Sequence, residues 1–494
     1  MALGILGTQS TPEYFLTNTG QRNLSLAQSL YKEHENGSSQ LEYSYFLNHT
    51  GILRGSLIAN TTDLQTAFER EEPFYTEDNH TYNIGSPRQE VQHHSLNYQT
   101  TRVLSNRASI HFAYGAQYNH RQEFDVRRGG RSDIPALDLS LWSHQVKGYY
   151  LLDADDWQWK VGSQHISSFN RNDAETGLLP LLPDYNGFQT GIYSTFKKLW
   201  DLSLFEAGIR YDHRWNSVAQ IESNADRSIR RFRDHFHAIT FSMGLSHEWS
   251  EHFNGSFNLG ATQRPPGIHE LYSFGLHQGV ASIEEGNLSL NSEIGWKAIT
   301  RMRWHSHDHF WIEASAYVQW IDDYIFLEPQ EELRLTVRGA FPVFRYQQTN
   351  ALLAGLDLNM VLPITAHWSW SNAFSYILGH DRSRDEPLIF MPQNNWHSNI
   401  TWEPNSHWSF SLKGQYFWEQ TRFPKGQDFI DPPPGFLVFG LKGDFETKWK
   451  KNPVKFGVQV DNLTNHSYRH YLNRWRYFTD ELGTNVRAQV RVDF

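Results

Sequence analysis

The last ten residues, NVRAQVRVDF, divide into two faces: Val486, Ala488, Val490, Val492 and Phe494 on one parity, Arg487, Gln489, Arg491 and Asp493 on the other. A period of two is the signature of a strand with one apolar and one polar face. The same alternation recurs along the chain. It sets Phe410, Leu412, Tyr416 and Trp418 on one face, and likewise Leu437, Phe439, Leu441 and Phe445. Other rows are Leu352 to Met360, Phe310 to Trp320, Ile239 to Leu245, and Ile110 to Ala116, each taken at every second residue. The pattern predicts about nineteen strands, many close to the roughly 9 to 11 residues that a tilted strand needs to cross a bilayer.

The connections carry a second regularity. Short polar turns (ENGSS, LSNR, DADD, SEH, HSHD, PITAH, PNSH, KKNP) alternate with long connections near residues 48–90, 119–142, 167–187, 215–235, 264–291 and 465–483. All short turns then fall on one side and all long loops on the other, as in an outer-membrane β-barrel. An arginine pointing into lipid at the midplane costs about 2 to 4 kcal/mol. Arg487 and Arg491 are therefore expected to face the lumen and the valines the acyl chains. Trp402, Trp408, Trp418 and Trp449, near predicted strand ends, suit the membrane interfaces.

Composition sharpens this picture. Aromatic residues make up 15% of 494, with 18 Trp and 23 Tyr, yet mean hydropathy is -0.60. Rings displayed in interfacial girdles around a polar lumen reconcile the two. No apolar run approaches the roughly 18 residues of a membrane-spanning helix. A net charge of -10 gives no broad positive field for nucleic acid. Cysteine is absent, which removes disulfides, thiolate zinc sites and thiol catalysis. No nucleophile elbow, P-loop, HExxH or dinucleotide fingerprint is present, so neither an enzyme nor a cofactor is expected. The opening MALGILGTQSTPEYF lacks a basic segment and a long enough apolar core for an export signal.

Several stretches resemble the barrel of TonB-dependent outer-membrane receptors: TPEYFLTNTGQRNLSLA, YSYFLNHTGILRGSLIANTTDL, RQEFDVRRGGRSDIPALDL, RPPGIHELYSFGLHQGVASIEEGN, QTNALLAGLDL and the closing VDNLTNHSYRHYLNRWRYFTDELGTNVRAQVRVDF. The resemblance implies a barrel of about 22 strands, a plug domain, a TonB-contacting segment, and placement in the outer membrane of a Gram-negative bacterium. It implies that the terminal aromatic, Phe494, is read by the barrel-assembly machinery. Against that pattern, residues 1–22 read as the remnant of an early extracellular loop and residues 23–494 as an incomplete barrel without plug, TonB box or signal peptide. The edges at residues 23–31 and 484–494 are then expected to lack partners, and unpaired backbone in lipid costs several kcal/mol per group. The chain is expected not to transport alone. Implied partners are outer-membrane lipid and lipopolysaccharide, a small-molecule metal complex, and the TonB system only through a plug outside these residues.

Three groups are candidates for substrate chemistry. In QRPPGIHELYSFGLHQGVASIEEGNLSL, Arg264, His269 and His277 lie between an Arg-Pro pair and an Asn-Leu stretch, an order similar to that of the heme-receptor branch of the family. Pro265 and the run Asn287, Leu288, Ser289, Leu290 depart from that branch. An imidazole there can ligate heme iron or another metal, or be an ordinary loop histidine. Arg127, Arg128 and Arg131 flank a Gly-Gly turn, where guanidinium forks can take carboxylates or phosphates or simply brace the loop. His305, His307 and His309 share one face if extended and are weak metal candidates, since they fall in a short turn. The expected function is a receptor barrel for TonB-dependent uptake of a scarce nutrient, whether an iron–siderophore, heme or another metal complex. The alternatives are a passive porin-like channel and a soluble β-sandwich binding protein.

Overall fold

The computed structural model describes residues 2–492 except Arg128, 223–226, 307–308 and Lys451. One sheet of 23 strands dominates it. Setting aside Ala2–Leu6 and three short strands in the outer loops (Phe274–His277, Ser282–Glu285 and Glu386–Pro387) leaves nineteen, from 8 to 27 residues long. Each of these pairs antiparallel with its neighbours along the wall; Thr190, for example, lies opposite His165 on one side and His213 on the other. The predicted antiparallel barrel wall and its strand number are both present.

The two faces fall where the alternation puts them. On Ile229–Ser250, Phe232 and Phe236 pack inward against a cluster containing Tyr272. Ile239, Met243 and Leu245, on the opposite parity, are exposed. At the end of the chain the Arg487 guanidinium meets Asp461 at 2.5 Å, while Val486 and Val490 are 66% and 62% exposed. Continuous apolar rows of this extent exceed anything a soluble monomer shows to water. At the short-turn end Trp368 stacks on Trp402 and Trp408 packs on Phe445, forming an aromatic rim of the kind that sits among headgroups.

Short turns do lie on one side, as at residues 35–36, 106–107 and 406–407. The opposite connections are shorter than the alternation alone suggests, because strands such as Arg88–Ser105 and Ala108–Phe124 continue well past the bilayer. One tall feature was not expected. Trp311–Thr336 and Gly339–Thr365 form a hairpin closed by only Val337 and Arg338. Register shifts between Ile321 and Tyr324 and between Pro329 and Leu333 bend it, as bulges do.

The hairpin tip bends into a second core outside the barrel wall. Ala340, Phe341, Val343 and Phe344 are fully buried there with Leu16, Leu53, Leu64, Phe68, Ile283, Tyr477 and Phe478. Burial of each large side chain contributes about 1.5 to 3 kcal/mol, so the five segments that carry these residues are held as one packed cap. The helix Thr61–Glu69 shows how. Asn60 accepts the Asp63 amide at 2.8 Å and starts the helix, and Leu64, Ala67 and Phe68, at helical spacing, supply its buried stripe.

Two sequence-based expectations need correction. Residues 1–22 are not only loop: Ala2–Leu6 is a strand, with Ala2 to Leu6 opposite Ser25 to Gln21. The apolar patch that is too short for an export signal is thus a strand segment, with Leu3 and Ile5 both exposed. The free edge of Gln21–His34 accordingly covers residues 26–34 rather than 23–31. The outer edge of Asn485–Val492 also has no partner strand among the described residues. Phe494, the expected assembly signal, lies outside the described residues.

If the odd parity of Ile229–Ser250 meets hydrocarbon, Met243→Arg will destabilise the barrel by about 2 to 4 kcal/mol in lipid vesicles. Ser242→Arg, one residue away on the lumen face, will cost much less. Urea unfolding of the two variants in vesicles checks this, and equal losses would contradict the assigned sidedness.

Candidate functional site

The segment after Phe253–Arg264 is fixed by charge before it is fixed by packing. Arg264 donates to Glu270 at 2.9 and 3.1 Å and also to Glu293. Glu270 in turn accepts the Gly267 amide at 2.5 Å and so caps the short helix Ile268–Tyr272. Arg214 donates to the Pro266 carbonyl at 3.2 Å. Ile268, Leu271 and Tyr272 then bury against Val218 and Phe232. This leaves His269 exposed, its ring edge-on to Tyr346 with centroids 5.7 Å apart.

The chain continues as a hairpin of Phe274–His277 and Ser282–Glu285, and the latter adds in parallel to the tall hairpin, Ile283 opposite Val343. That pairing aims two carboxylates. His277 Nδ1 lies 3.1 Å from Glu284 Oε1, and Arg474 donates to the same oxygen at 3.1 Å. Glu285 accepts Arg334 at 2.7 Å and Arg345 at 2.6 Å. Burial alone would raise the Glu284 carboxyl, but His277 and Arg474 together outweigh it and hold the group below the usual glutamate range. Burial, then the charges of Glu284 and Glu270, push the Tyr346 phenol well up, so it stays a neutral hydrogen-bonding group.

His277 is thereby oriented. Whenever the ring is neutral with Nδ1–H directed to Glu284, its lone pair falls on Nε2, which has no hydrogen-bond partner among the described residues. A carboxylate behind a histidine is the support that metal-ligating imidazoles commonly have. No three His, Asp or Glu side chains converge to hold a bare ion among the described residues. The arrangement suits a single imidazole bonding to a metal already held in a chelate.

The other candidates separate. Arg127 donates its amide to Ser132 Oγ at 3.0 Å and braces its own loop. Arg131 is exposed in the same turn, and Arg128 lies outside the described residues. Beside them Asp125 is fully buried, its carboxyl 3.4 Å from Arg338, and burial raises it despite that arginine. His305 packs edge-on against His252, His309 sits at a left-handed φ of 62°, and His307 lies outside the described residues. Below the cap, Arg210, Asp212, Arg264 and Glu293 line a recess of about 490 Å³ in the lumen wall. Glu284, Tyr346 and Arg474 were not among the sequence candidates; the only signal for them was charge and ring chemistry set in otherwise loop-like stretches.

Residues 19–463 match the family described as TonB dependent receptor-like, beta-barrel. The chain belongs to this family. TonB-dependent receptors are outer-membrane transport proteins of Gram-negative bacteria rather than enzymes, and the soluble-sandwich alternative is thereby set aside. Similar solved structures include the copper transporter OprC, at 16% identity and a TM-score of 0.75 over 99% of this chain and 74% of that one. The ferric-catecholate import receptor Fiu from E. coli K12 matches at 13% and 0.70 over 99% and 76%. The siderophore receptor PiuA from Acinetobacter baumannii matches at 11% and 0.70, also over 99% and 76%. At these identities the likeness is one of fold. No curated protein matches the sequence.

The depressed Glu284 carboxyl gives a pH prediction for this receptor's cap. A carboxyl lowered in the folded state contributes stability that is present above its unfolded pKa, about 4.3, and lost as pH falls through the folded value. Asp125, raised by burial, works in the opposite sense, so the informative comparison is with Glu284→Gln. Amide exchange across residues 274–285, corrected for intrinsic rates, should stay protected from pH 7 to 5 and open below about 4.3. In Glu284→Gln the acid-dependent part should shrink, leaving what Glu285 contributes, since burial raises that carboxyl but Arg345 and Arg334 outweigh it. Opening between pH 7 and 5 that the variant does not change would contradict the linkage.

Proposed function

We propose that this chain is the wall and capture surface of a receptor that takes up a metal chelate, an iron–siderophore or heme-type complex, with TonB supplying the work through a plug within the lumen. The observation that carries this reading is the carboxylate-backed imidazole of His277, whose Glu284 partner also takes Arg474. One directed nitrogen favours a metal that arrives partly coordinated, and the guanidinium of Arg474 offers charge to an anionic chelate. Arg264 acts by positioning the segment. Arg127 and Arg131 are secondary, on a neighbouring loop.

A passive porin is disfavoured by the packed cap, in which Phe68, Phe341 and Phe344 join loop segments into one core instead of leaving them apart. The free edges at residues 26–34 and 485–492 accept further antiparallel strands, from the same polypeptide or another, since in hydrocarbon their amides have no other partners. In this reading barrel closure comes before transport.

Titration of the purified receptor with hemin and with a ferric catecholate, followed by absorbance, tests the proposal. His277→Ala should weaken binding of the recognised chelate about tenfold or more and remove its ligand-dependent spectral change. Glu284→Gln should weaken it less, by loss of orientation, by about tenfold at most, the low end for outer-shell substitutions. Undiminished binding of both probes to His277→Ala would overturn the assignment.

A further inference from the structure

The outside of the wall carries a histidine contact that substrate capture does not use. On Ile229–Ser250 the inward parity holds Phe232, Asp234, Phe236 and Ala238, which pack, hydrogen-bond or line the lumen recess. His235 and His237 therefore point outward, and both are exposed. The adjacent strand Ser203–Ile221 sets His213 opposite His237 and Trp215 opposite His235, so His213 shares their face. Among the described residues this is the one place where three imidazoles touch.

Nε2 of His213 lies 3.5 Å from Nδ1 of His235. His237 stacks on His213 with ring centroids 4.9 Å apart, and its own Nδ1 is tied to the Tyr211 hydroxyl at 2.7 Å. The first distance separates two readings. A hydrogen bond from a ring N–H spans about 2.7 to 3.2 Å, so 3.5 Å is too wide for a good one. Two imidazole nitrogens bonded to one tetrahedral ion at about 2.0 to 2.1 Å stand roughly 3.3 to 3.4 Å apart. Neighbouring ligands of a square-planar ion stand only about 2.9 Å apart. The His213–His235 gap thus fits the tetrahedral case after a closure of about one to two tenths of an ångström. No Asp or Glu occupies the outward positions of either strand, so no carboxylate on this face claims either ring. In strands tilted by 35 to 45°, His237 and His235 rise about 5 and 10 Å above the lipid-facing Ile239, a height at which headgroups are hydrated. Arg233, the next outward residue, repels a dication. At about 7 Å across an exposed, salt-screened surface, that lowers affinity only about two- to threefold.

We propose that His213 and His235 form a two-imidazole site for a tetrahedral divalent ion of the zinc type on the outside of the wall. Each neutral ring supplies one lone pair, from Nε2 of His213 and Nδ1 of His235. No third His, Asp or Glu completes the sphere among the described residues, so two positions are left to water or to a donor from outside. The bound ion ties Ser203–Ile221 to Ile229–Ser250 at the outer edge of the membrane, and it does so independently of His277.

The test is calorimetric titration of the tag-free, detergent-solubilised receptor with zinc chloride and, separately, with magnesium chloride. The parent should show a zinc-binding phase that magnesium does not produce. His213→Ala and His235→Ala should each weaken that phase by at least the roughly tenfold that even an outer-shell loss costs. His235→Cys, which keeps a zinc ligand at the same place, should retain it, and Arg233→Gln should tighten it about two- to threefold. His165→Ala, which removes an outward histidine bonded to Thr190, should leave it unchanged, as should His277→Ala. The proposal is overturned if the parent has no such phase, if both alanine variants at 213 and 235 retain it, or if magnesium produces it equally. A loss confined to His277→Ala would also overturn it, and would place the ion in the capture loops.

Discussion

A backbone amide in hydrocarbon can find a partner only in another strand, and an arginine there has nowhere to put its charge. Those two demands dictate the wall of this protein. The first imposes unbroken antiparallel pairing from Gln21–His34 to Asn485–Val492. The second sorts side chains by parity, so that Arg487 reaches Asp461 while Val486 and Val490 stay outside. Where the register stops, at residues 26–34 and 485–492, no partner strand lies among the described residues.

Above the membrane the constraint is lifted, and a different physics takes over. Residues 339–346, GAFPVFRY, are no longer alternating but apolar on both parities, because Phe341, Val343 and Phe344 are buried on both sides. The cap they nucleate is a conventional core, and it gives the charged groups over it fixed positions. Glu284 and Glu285 sit on a strand paired with this apolar segment, so His277, Arg474, Arg334 and Arg345 converge on carboxylates that cannot drift. Capture chemistry thus rests on loop packing, and loop packing rests on a wall that is held by lipid.

The wall was legible in the sequence for a simple reason: period two is local, and each strand reports its own sidedness without reference to its neighbours. The strand number, the short-turn side and the lumen position of Arg487 all follow from that. The tall hairpin was not legible, because its alternation continues past the bilayer with nothing to mark where lipid ends. Ala2–Leu6 was missed because a five-residue apolar patch is as compatible with a loop as with a strand until its partner at Gln21 to Ser25 is known. At the site, His269 and His277 stood out by residue type. Glu284, Tyr346 and Arg474 did not, since their meeting depends on contacts 59 to 190 residues apart, which no local pattern encodes.

The most direct measurement of the central claim uses the absence of cysteine in the chain. Single cysteines placed at each position from 238 to 246 of Ile229–Ser250, spin-labelled in lipid, report collisions with oxygen, which concentrates in hydrocarbon, and with a water-soluble nickel chelate. Oxygen accessibility should peak at 239, 241, 243 and 245, and the nickel chelate should favour the positions between them. A flat profile, or one with the two parities exchanged, would contradict a wall whose valine, isoleucine and aromatic face meets lipid.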